Sequence, residues 1–327
     1  MILAGDVGGT KAELALFEDV QLKKVVKEGR FLCKEYRGLE DILQIFLGDV
    51  SFPVTHSCFG IAGPIENNVC RATNLPWVVE AKKLQALIPS SEIFLINDLE
   101  ANACGIDALG EAEFYTISEG VGKKGNKALI SAGTGLGEAG FYFDGTTHHP
   151  FACEGGHCNF APSSEEEMEL LVYFRGKFGG QVSFERFLCG RGISNIYQFW
   201  VDVKQEKENP EVKERMTKED PAKVIYEYAM NGKCDICIKT VRRFIAIYGS
   251  EAGNLALKFL AVGGVYIGGG IAPKMLEAFK DGIFFENFIK KGRLSNVLSA
   301  IKIQIILNPK TALLGAAHYA EKRKRHG

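Results

Sequence analysis

Two short stretches constrain this chain more than anything else in it. Asp6–Thr10 reads DVGGT and Ala132–Gly137 reads AGTGLG. Each lies between two apolar runs, Ile2–Gly5 and Ala12–Phe17 for the first, Lys127–Ala132 and Ala139–Phe143 for the second. Runs of this length around a glycine turn read as strand–turn–strand units. Glycines leave successive backbone N–H groups unobstructed, so such a turn can form a concave nest for an anion. Thr10 and Thr134 add hydroxyl donors. Two such units read as a duplicated fold with one phosphate loop per half. The competing reading is two unrelated hairpins.

Around these units the N-terminal third alternates strands and helices. Gly38–Leu47 has helical spacing of Leu39, Ile42, Leu43 and Phe46, Ser57–Ala62 and Glu92–Asn97 are apolar strands, and Leu99–Leu109 reads as a helix. This alternation predicts an α/β sheet. Beyond Pro162 the pattern turns helical over Glu165–Phe178, Ser183–Leu188, Gly192–Val203 and Asp220–Leu260, with charge-dense Lys204–Asp220 expected as a solvated loop. A strand at Val265–Gly268 enters the turn GGGIAP, and a strand at Ile301–Ile306 precedes a helix at Thr311–Lys324. A chain of 327 residues has room for two domains.

Familiar glycine motifs fail here. Gly135-Leu-Gly137-Glu-Ala-Gly140 fits G-x-G-x-x-G, but a strand-like Phe141-Tyr-Phe143 follows where a dinucleotide fold needs a helix. No G-x-x-x-x-G-K-[ST] occurs. A formal net charge of −1 disfavours nucleic-acid binding as the main activity. No apolar run reaches the ~18–20 residues of a membrane span. The opening MILAGDVGGT lacks the basic start of a signal peptide, and nine irregularly spaced cysteines suit free thiols, so a cytoplasmic protein is expected. The basic tail Lys322–His326 is expected to be a solvated helix end.

Five acidic or imidazole positions stand out. Asp98 follows the apolar strand Ile93–Ile96 and Asn97, at the strand end where open α/β sheets collect ligands. There a carboxylate can accept a proton from a substrate hydroxyl, or simply cap the helix that follows. Glu154-Gly-Gly-His157 sets an acid and an imidazole about a turn, groups that hydrogen-bond vicinal hydroxyls of a sugar. Glu185 sits early in a short helix, where the macrodipole alone would favour an acid. Asp6 ends the first strand and is a candidate to hold Mg²⁺, through water.

In order along nearly the whole chain, GDVGGT (Gly5–Thr10), LINDLEA (Leu95–Ala101), GTGLG (Gly133–Gly137), EGGHCNFAP (Glu154–Pro162), Glu185 with CGRGISNIY, and IGGGIAP (Ile267–Pro273) resemble the bacterial glucokinase family. The resemblance implies the two-lobed ribonuclease H-like (actin-like ATPase) fold, with a cleft between a small α/β lobe, residues 1–107 plus 308–327, and a larger, more helical α/β lobe, residues 108–307. It implies phosphorylation of glucose to glucose 6-phosphate by ATP, with Mg²⁺ accompanying the nucleotide. Asp98 matches the general base, and Asn97, Glu154, His157 and Glu185 match sugar-binding positions. Gly5, Asp6, Val7, Gly8, Gly9 and Thr10 match the first phosphate loop, Gly133, Thr134, Gly135 and Gly137 the second, and Gly268, Gly269 and Gly270 the segment near the adenosine. It also suggests a homodimer.

The related ROK kinases and repressors share the GGTK start and a Glu-Gly-His segment but carry a C-x-C-G-x-x-G-C zinc cluster. Here Asn159-Phe-Ala-Pro162 stands there instead. Cys153, Cys158, Cys234 and Cys237 therefore read as free thiols, and no metal is expected on protein ligands alone. No helix-turn-helix is expected ahead of a first strand at Ile2. Lys11 departs from the Asn that many glucokinases of this group carry, and its role stays open. Competing functions are a kinase for another hexose or aminosugar, a non-catalytic sugar sensor of the same fold, and an Hsp70-like or actin-like ATPase, for which 327 residues leave little room.

Overall fold

The structure is a computed structural model that describes residues 1–18, 24–50, 52–89 and 91–326. The side chains from Lys324 onward, most of the basic tail, lie outside the described residues. The chain divides into two compact units, one of Met1–Glu113, Pro150–Ala152 and Asn308–Gly327, the other of Phe114–His149 and Cys153–Leu307. The first unit thus runs past residue 107, because Glu113 accepts hydrogen bonds from the Gly110 amide at 2.7 Å and from Asn308 Nδ2 at 2.5 Å.

In the first unit β1 (Ile2–Val7), β2 (Lys11–Phe17), β3 (Val25–Leu32), β4 (His56–Ile61) and, after the small sheet of β5 (Ile65–Glu66), β6 (Val69–Arg71) and β7 (Val78–Glu80), β8 (Glu92–Asn97) make the elements. The main sheet has the order β3-β2-β1-β4-β8. β1 and β2 form an antiparallel hairpin, while β1, β4 and β8 run parallel. The parallel strands are apolar on both faces because both are covered. One face packs on Leu39, Ile42, Leu43 and Phe46 of α1 (Leu39–Leu47) and Leu84 of α2 (Ala81–Leu87). The other packs on Ala101 of α3 (Asp98–Ile106) and Ala312, Leu313, Ala316, Ala317 and Ala320 of the C-terminal helix Thr311–His326. Small residues set that second layer. A Cβ on Gly315 would lie 1.8 Å from the Ala101 carbonyl oxygen, and one on Gly105 would lie 2.0 Å from that of Thr311.

The second unit repeats the plan. Its strands β9 (Phe114–Ser118), β10 (Lys127–Ala132), β11 (Leu136–Phe143), β12 (His148–Cys153), β13 (Gly264–Gly268) and β14 (Ile303–Ile306) are ordered β12-β11-β10-β13-β14-β9. Again a hairpin, β10/β11, leads and two parallel neighbours, β13 and β14, follow. The succession β12-β11-β10-β13-β14 reproduces β3-β2-β1-β4-β8 strand for strand, which decides for duplication over two unrelated hairpins. Helices α4 (Glu165–Phe178), α5 (Gly190–Asp202), α6 (Pro210–Lys218), α7 (Pro221–Met230) and α8 (Asp235–Phe259) build the larger core around Phe174, Phe187, Phe199, Phe244 and Tyr248.

Three expectations are corrected. Lys204–Asp220 is not wholly loop. Asn209 caps α6 through the amides of Glu211 and Val212, Pro210 occupies its first turn, and Arg215 bonds Glu219 and, on α7, Glu227. Asp220–Leu260 is two helices, parted where Gly232 takes φ +66°. Ser183–Leu188 is only a single 3₁₀ turn, Phe184–Arg186. Among the described residues no helix is long and apolar enough to cross a membrane.

Candidate functional site

Register explains what the first unit brings together. Val7 pairs with Ile61, and Ile61 with Asn97, so β1, β4 and β8 end level. The Gly8–Thr10 turn and the start of α3 therefore leave the same sheet end. The turn is closed by the Gly8 amide donating to the Lys11 carbonyl at 2.9 Å, and the Thr10 carbonyl accepts from the Cys33 amide at 3.0 Å. A Cβ on Gly9 would lie 2.7 Å from Asn74 Cβ, so the turn tolerates no side chain there without movement. Gly5 and Val7 belong to β1 itself. A Cβ on Gly5 would lie 2.6 Å from the Phe59 ring, and Val7 is core.

The helix cap is Asn97, not Asp98. Asn97 Oδ1 accepts the Leu99 amide at 2.9 Å, and Asn97 Nδ2 donates to the Gly63 carbonyl at 3.2 Å. Asp98 is the first helical residue, half-buried, with Oδ1 3.0 Å from the Leu99 amide nitrogen. Its charge reaches Asp6. Burial first, then Asp98 and Glu13, push the Asp6 carboxyl up to about 7, with Lys11 acting against them. That places the Lys11 ammonium within electrostatic reach of the loop.

The second unit gathers a different set. The turn Gly133–Gly135 joins β10 to β11, with the Gly133 amide donating to the Gly135 carbonyl at 2.8 Å. Its continuation is the strand β11, so the G-x-G-x-x-G match is indeed no dinucleotide turn. Glu185 Oε2 accepts the Leu136 amide at 3.1 Å, and a Cβ on Gly135 would fall 2.5 Å from that same oxygen. No capping bond accompanies the 3₁₀ turn that carries Glu185, so its place is set by the loop. Phe184 donates its amide to the Cys158 carbonyl, Phe160 donates to Val182, and Gln181 Nε2 donates to the His157 carbonyl. These bonds lash the Glu185 segment to the Glu154–His157 turn. Glu154 Oε2 and His157 Nε2 are 3.9 Å apart, and both side chains are exposed. Beneath them a Cβ on Gly156 would lie 2.1 Å from the Leu136 carbonyl oxygen, so this turn rests on the same loop.

A cavity of about 1210 Å³ opens beside that loop, lined by Gly133, Thr134, Gly190, Arg191, Asn195, Tyr226, Gly270 and Lys274 among others. Gly190 donates its amide to the Gly133 carbonyl at 3.1 Å, anchoring the start of α5 on the loop. Of the triple glycine only Gly270 faces the cavity. Gly268 packs in β13 on Leu129 and Ser131, and Gly269, at φ +80°, backs onto the Ala132 carbonyl. Gly137 lies in β11, paired with Ser131. The sequence reading assigned no role to Arg191, Asn195, Tyr226 or Lys274. The motif CGRGISNIY held a signal for the first two, glycines flanking an arginine at a helix start. Tyr226 and Lys274 had none. Among the described residues no cluster of three or more His, Cys, Asp or Glu could hold a metal.

A duplicated α/β fold whose halves each open on a strand–glycine turn–strand hairpin, the second turn lining a large cavity, is the fold of the sugar kinases of the actin-like ATPase class. A family model described as glucokinase matches residues 3–323. The glucokinase of Nostoc punctiforme is 39% identical over 97% of this chain and 98% of its own, and that of Synechocystis 36% identical over 96% of each. A crystal structure of glucokinase from an Antarctic psychrotroph superposes with a TM-score of 0.83 at 26% identity, covering 98% of both chains. A ROK-family glucokinase from Streptomyces griseus, solved with glucose and AMPPNP, shares the fold at a TM-score of 0.67 and 19% identity, over 100% of this chain and 99% of that one. The chain belongs to the glucokinase family.

Proposed function

We propose that this chain carries out the reaction of its family, transfer of the γ-phosphoryl group of ATP to the 6-hydroxyl of glucose, with Asp98 as the base. The observation that carries the reading is one of economy within the second unit. Glu185 and the Glu154–His157 turn both rest on the loop Gly133–Leu136, and that loop also lines the 1210 Å³ cavity. A loop shared in this way lets hydroxyl-binding groups and a nucleotide cavity be positioned together.

The residues divide the work. The Gly8–Thr10 and Gly133–Gly135 turns offer backbone N–H groups, with the Thr10 and Thr134 hydroxyls, to phosphate oxygens. The cavity takes the adenosine, with Gly270 on its wall. Asn97, Glu154, His157 and Glu185 hold sugar hydroxyls. Asp98 accepts the proton of the attacking hydroxyl as the bond to phosphorus forms. Phosphoryl transfer passes through a loose transition state, so orienting the hydroxyl and balancing charge matter more than covalent help.

The donor set suits a divalent cation brought with the nucleotide. Asp6 is held partly out of water at the strand end, and burial, then Asp98 and Glu13, raise its carboxyl against the pull of Lys11, so a cation beside it would be favoured. Asp6 would hold Mg²⁺ through water. Bound there, the ion would neutralise charge on the phosphates. A homodimer and a cytoplasmic site of action complete the reading.

A panel of hexoses with Mg-ATP, following ADP release and identifying the product, tests it. Glucose giving glucose 6-phosphate, with little turnover of fructose or N-acetylated sugars, is the expected result. Strong preference for another hexose would move the substrate, and glucose binding without turnover would make the chain a sensor.

A further inference from the structure

One buried acid of the second unit has no part in that scheme. Glu138, on β11, is fully buried, and neither carboxyl oxygen has a hydrogen-bond partner of good geometry. Directly over it lies the turn that carries Glu154 and His157. A Cβ on Gly155 would fall 1.8 Å from Glu138 Oε2 and 2.8 Å from its Cδ. The strand end of the same turn is tied to the same residue, Cys153 Sγ donating to the Glu138 carbonyl at 3.5 Å. Gly155 is thus seated on a carboxyl group with no room for any larger residue.

The surroundings decide the charge of that carboxyl. From α8 it faces the Glu251 carboxyl, also fully buried, together with Tyr248 and Lys258. From the turn it faces Cys153. Glu251 already accepts from Asn254 Nδ2 at 2.8 Å and Lys258 Nζ at 3.0 Å, and Lys291 Nζ bonds Asn254 Oδ1 behind it. The Lys291 ammonium is therefore committed to Ser250 and Asn254, and that of Lys258 to Glu251. A second ionised carboxylate beside it would be buried without a bond of its own, a costly arrangement.

We propose that Glu138 is a positioning residue for the sugar site: as a neutral carboxyl facing Glu251, it forms the seat on which Gly155 rests and so fixes where Glu154 and His157 stand. This rests on the assignment of the Glu154–His157 turn to sugar binding. Burial, then Glu251, hold the Glu138 carboxyl up to about 8. Above that pH the seat ionises, the two carboxylates repel, and the turn is displaced.

The test measures kcat and KM for glucose and for ATP from about pH 6.5 to 9.5 in the full-length enzyme and in Glu138→Gln, Glu138→Ala and Glu154→Gln. In the native enzyme, KM for glucose should rise above about pH 8 while KM for ATP does not. Glu138→Gln fills the same space and stays neutral at every pH, so its glucose KM should stay within about threefold at pH 7 and lose the alkaline rise. Glu138→Ala empties the seat, so its glucose KM should rise about tenfold or more at every pH with kcat changed far less. A native KM flat to the alkaline limit, an alkaline rise that persists in Glu138→Gln, or a Glu138→Ala enzyme with native KM would each overturn the proposal. Should the alanine variant not fold, the glutamine profile decides alone. An unchanged glucose KM in Glu154→Gln would instead sink the sugar-turn assignment, whereas a raised one beside silent Glu138 variants would sink only the seat.

Discussion

The Leu136 amide donates to Glu185 Oε2 at 3.1 Å, so an acid that the sequence places 49 residues away rests on the second glycine loop. One oxygen of this carboxylate fixes a backbone turn, and in the proposed function the other meets a sugar hydroxyl. Glu185→Gln keeps an acceptor for the amide and loses the charge. Its glucose KM should rise by about 10- to 100-fold, the range of a hydrogen bond to a charged group, with KM for ATP near native. Glu185→Ala releases the loop as well, so both constants should rise. Steady-state kinetics with each substrate varied separate the cases; an alanine variant with both constants native would remove Glu185 from the site.

Asp98→Asn preserves the start of α3, because Asn97 supplies the cap and an amide oxygen can still accept from Leu99. It removes only the basicity. General-base assistance contributes about 10²–10⁴ in rate. The expected outcome is a loss of kcat of at least that order, with glucose affinity by calorimetry within a few-fold of native. Near-native turnover would show that another group takes the proton.

Much of this was legible in the sequence, and the reason lies in local rules. The two glycine turns announced themselves because a turn between strands must use residues without side-chain bulk, and the strand order confirms the duplication they suggested. The rejected dinucleotide motif was legible because a strand, not a helix, follows Gly140. α6 was not. Its segment PEVKERMTK buries Val212 and little else, so apolar periodicity fell silent and only Asn209-Pro210 marked the start. β3 escaped for a similar reason, being an exposed strand held by its pairing with β2. The seat at Glu138 was out of reach altogether. An acid two residues beyond Leu136 becomes buried only through the β10/β11 register and the return of the chain at Gly155, and neither is written in nearby residues.

Asp6 should leave a mark on stability as well as on activity. The folded chain holds its carboxyl proton up to about 7, against an ordinary 3.8. The folded state therefore binds that proton more tightly than the unfolded chain does. Its contribution is complete below about pH 4 and is lost as pH rises through about 7, where the half-buried acid must ionise beside Asp98. Asp6→Asn removes this cost. After allowance for partial exposure, urea unfolding should show the variant more stable than native by about 1–2 kcal/mol at pH 8 and by little at pH 4, without Mg²⁺ or nucleotide. Equal stability differences at both pH values would contradict the raised Asp6 carboxyl, which burial first and Asp98 second produce. The variant should also be impaired as a kinase, since Asp6 is the candidate partner of the nucleotide's metal.

Gly269 and Gly270 adjoin one another yet should respond in opposite ways to the same substitution. Gly269 takes φ +80°, and a Cβ there would lie 2.2 Å from the Ala132 carbonyl oxygen, against the strand that leads into the second loop. Alanine is strained at that φ and collides with backbone, so Gly269→Ala should lower stability by about 2 kcal/mol or more and disturb Gly133 with it. Gly270 takes φ −82°, and a Cβ there meets nothing within 4 Å. Gly270→Ala should fold as the native chain does, and its methyl group should enter only the cavity. Thermal unfolding should thus separate the pair, the Gly269 variant melting several degrees lower. KM for ATP in the Gly270 variant then reports on the cavity free of any folding defect. A rise in KM for ATP with an unchanged KM for glucose is expected, and Gly270→Ala or a bulkier Gly270→Val that leaves KM for ATP untouched would take the adenosine out of this cavity.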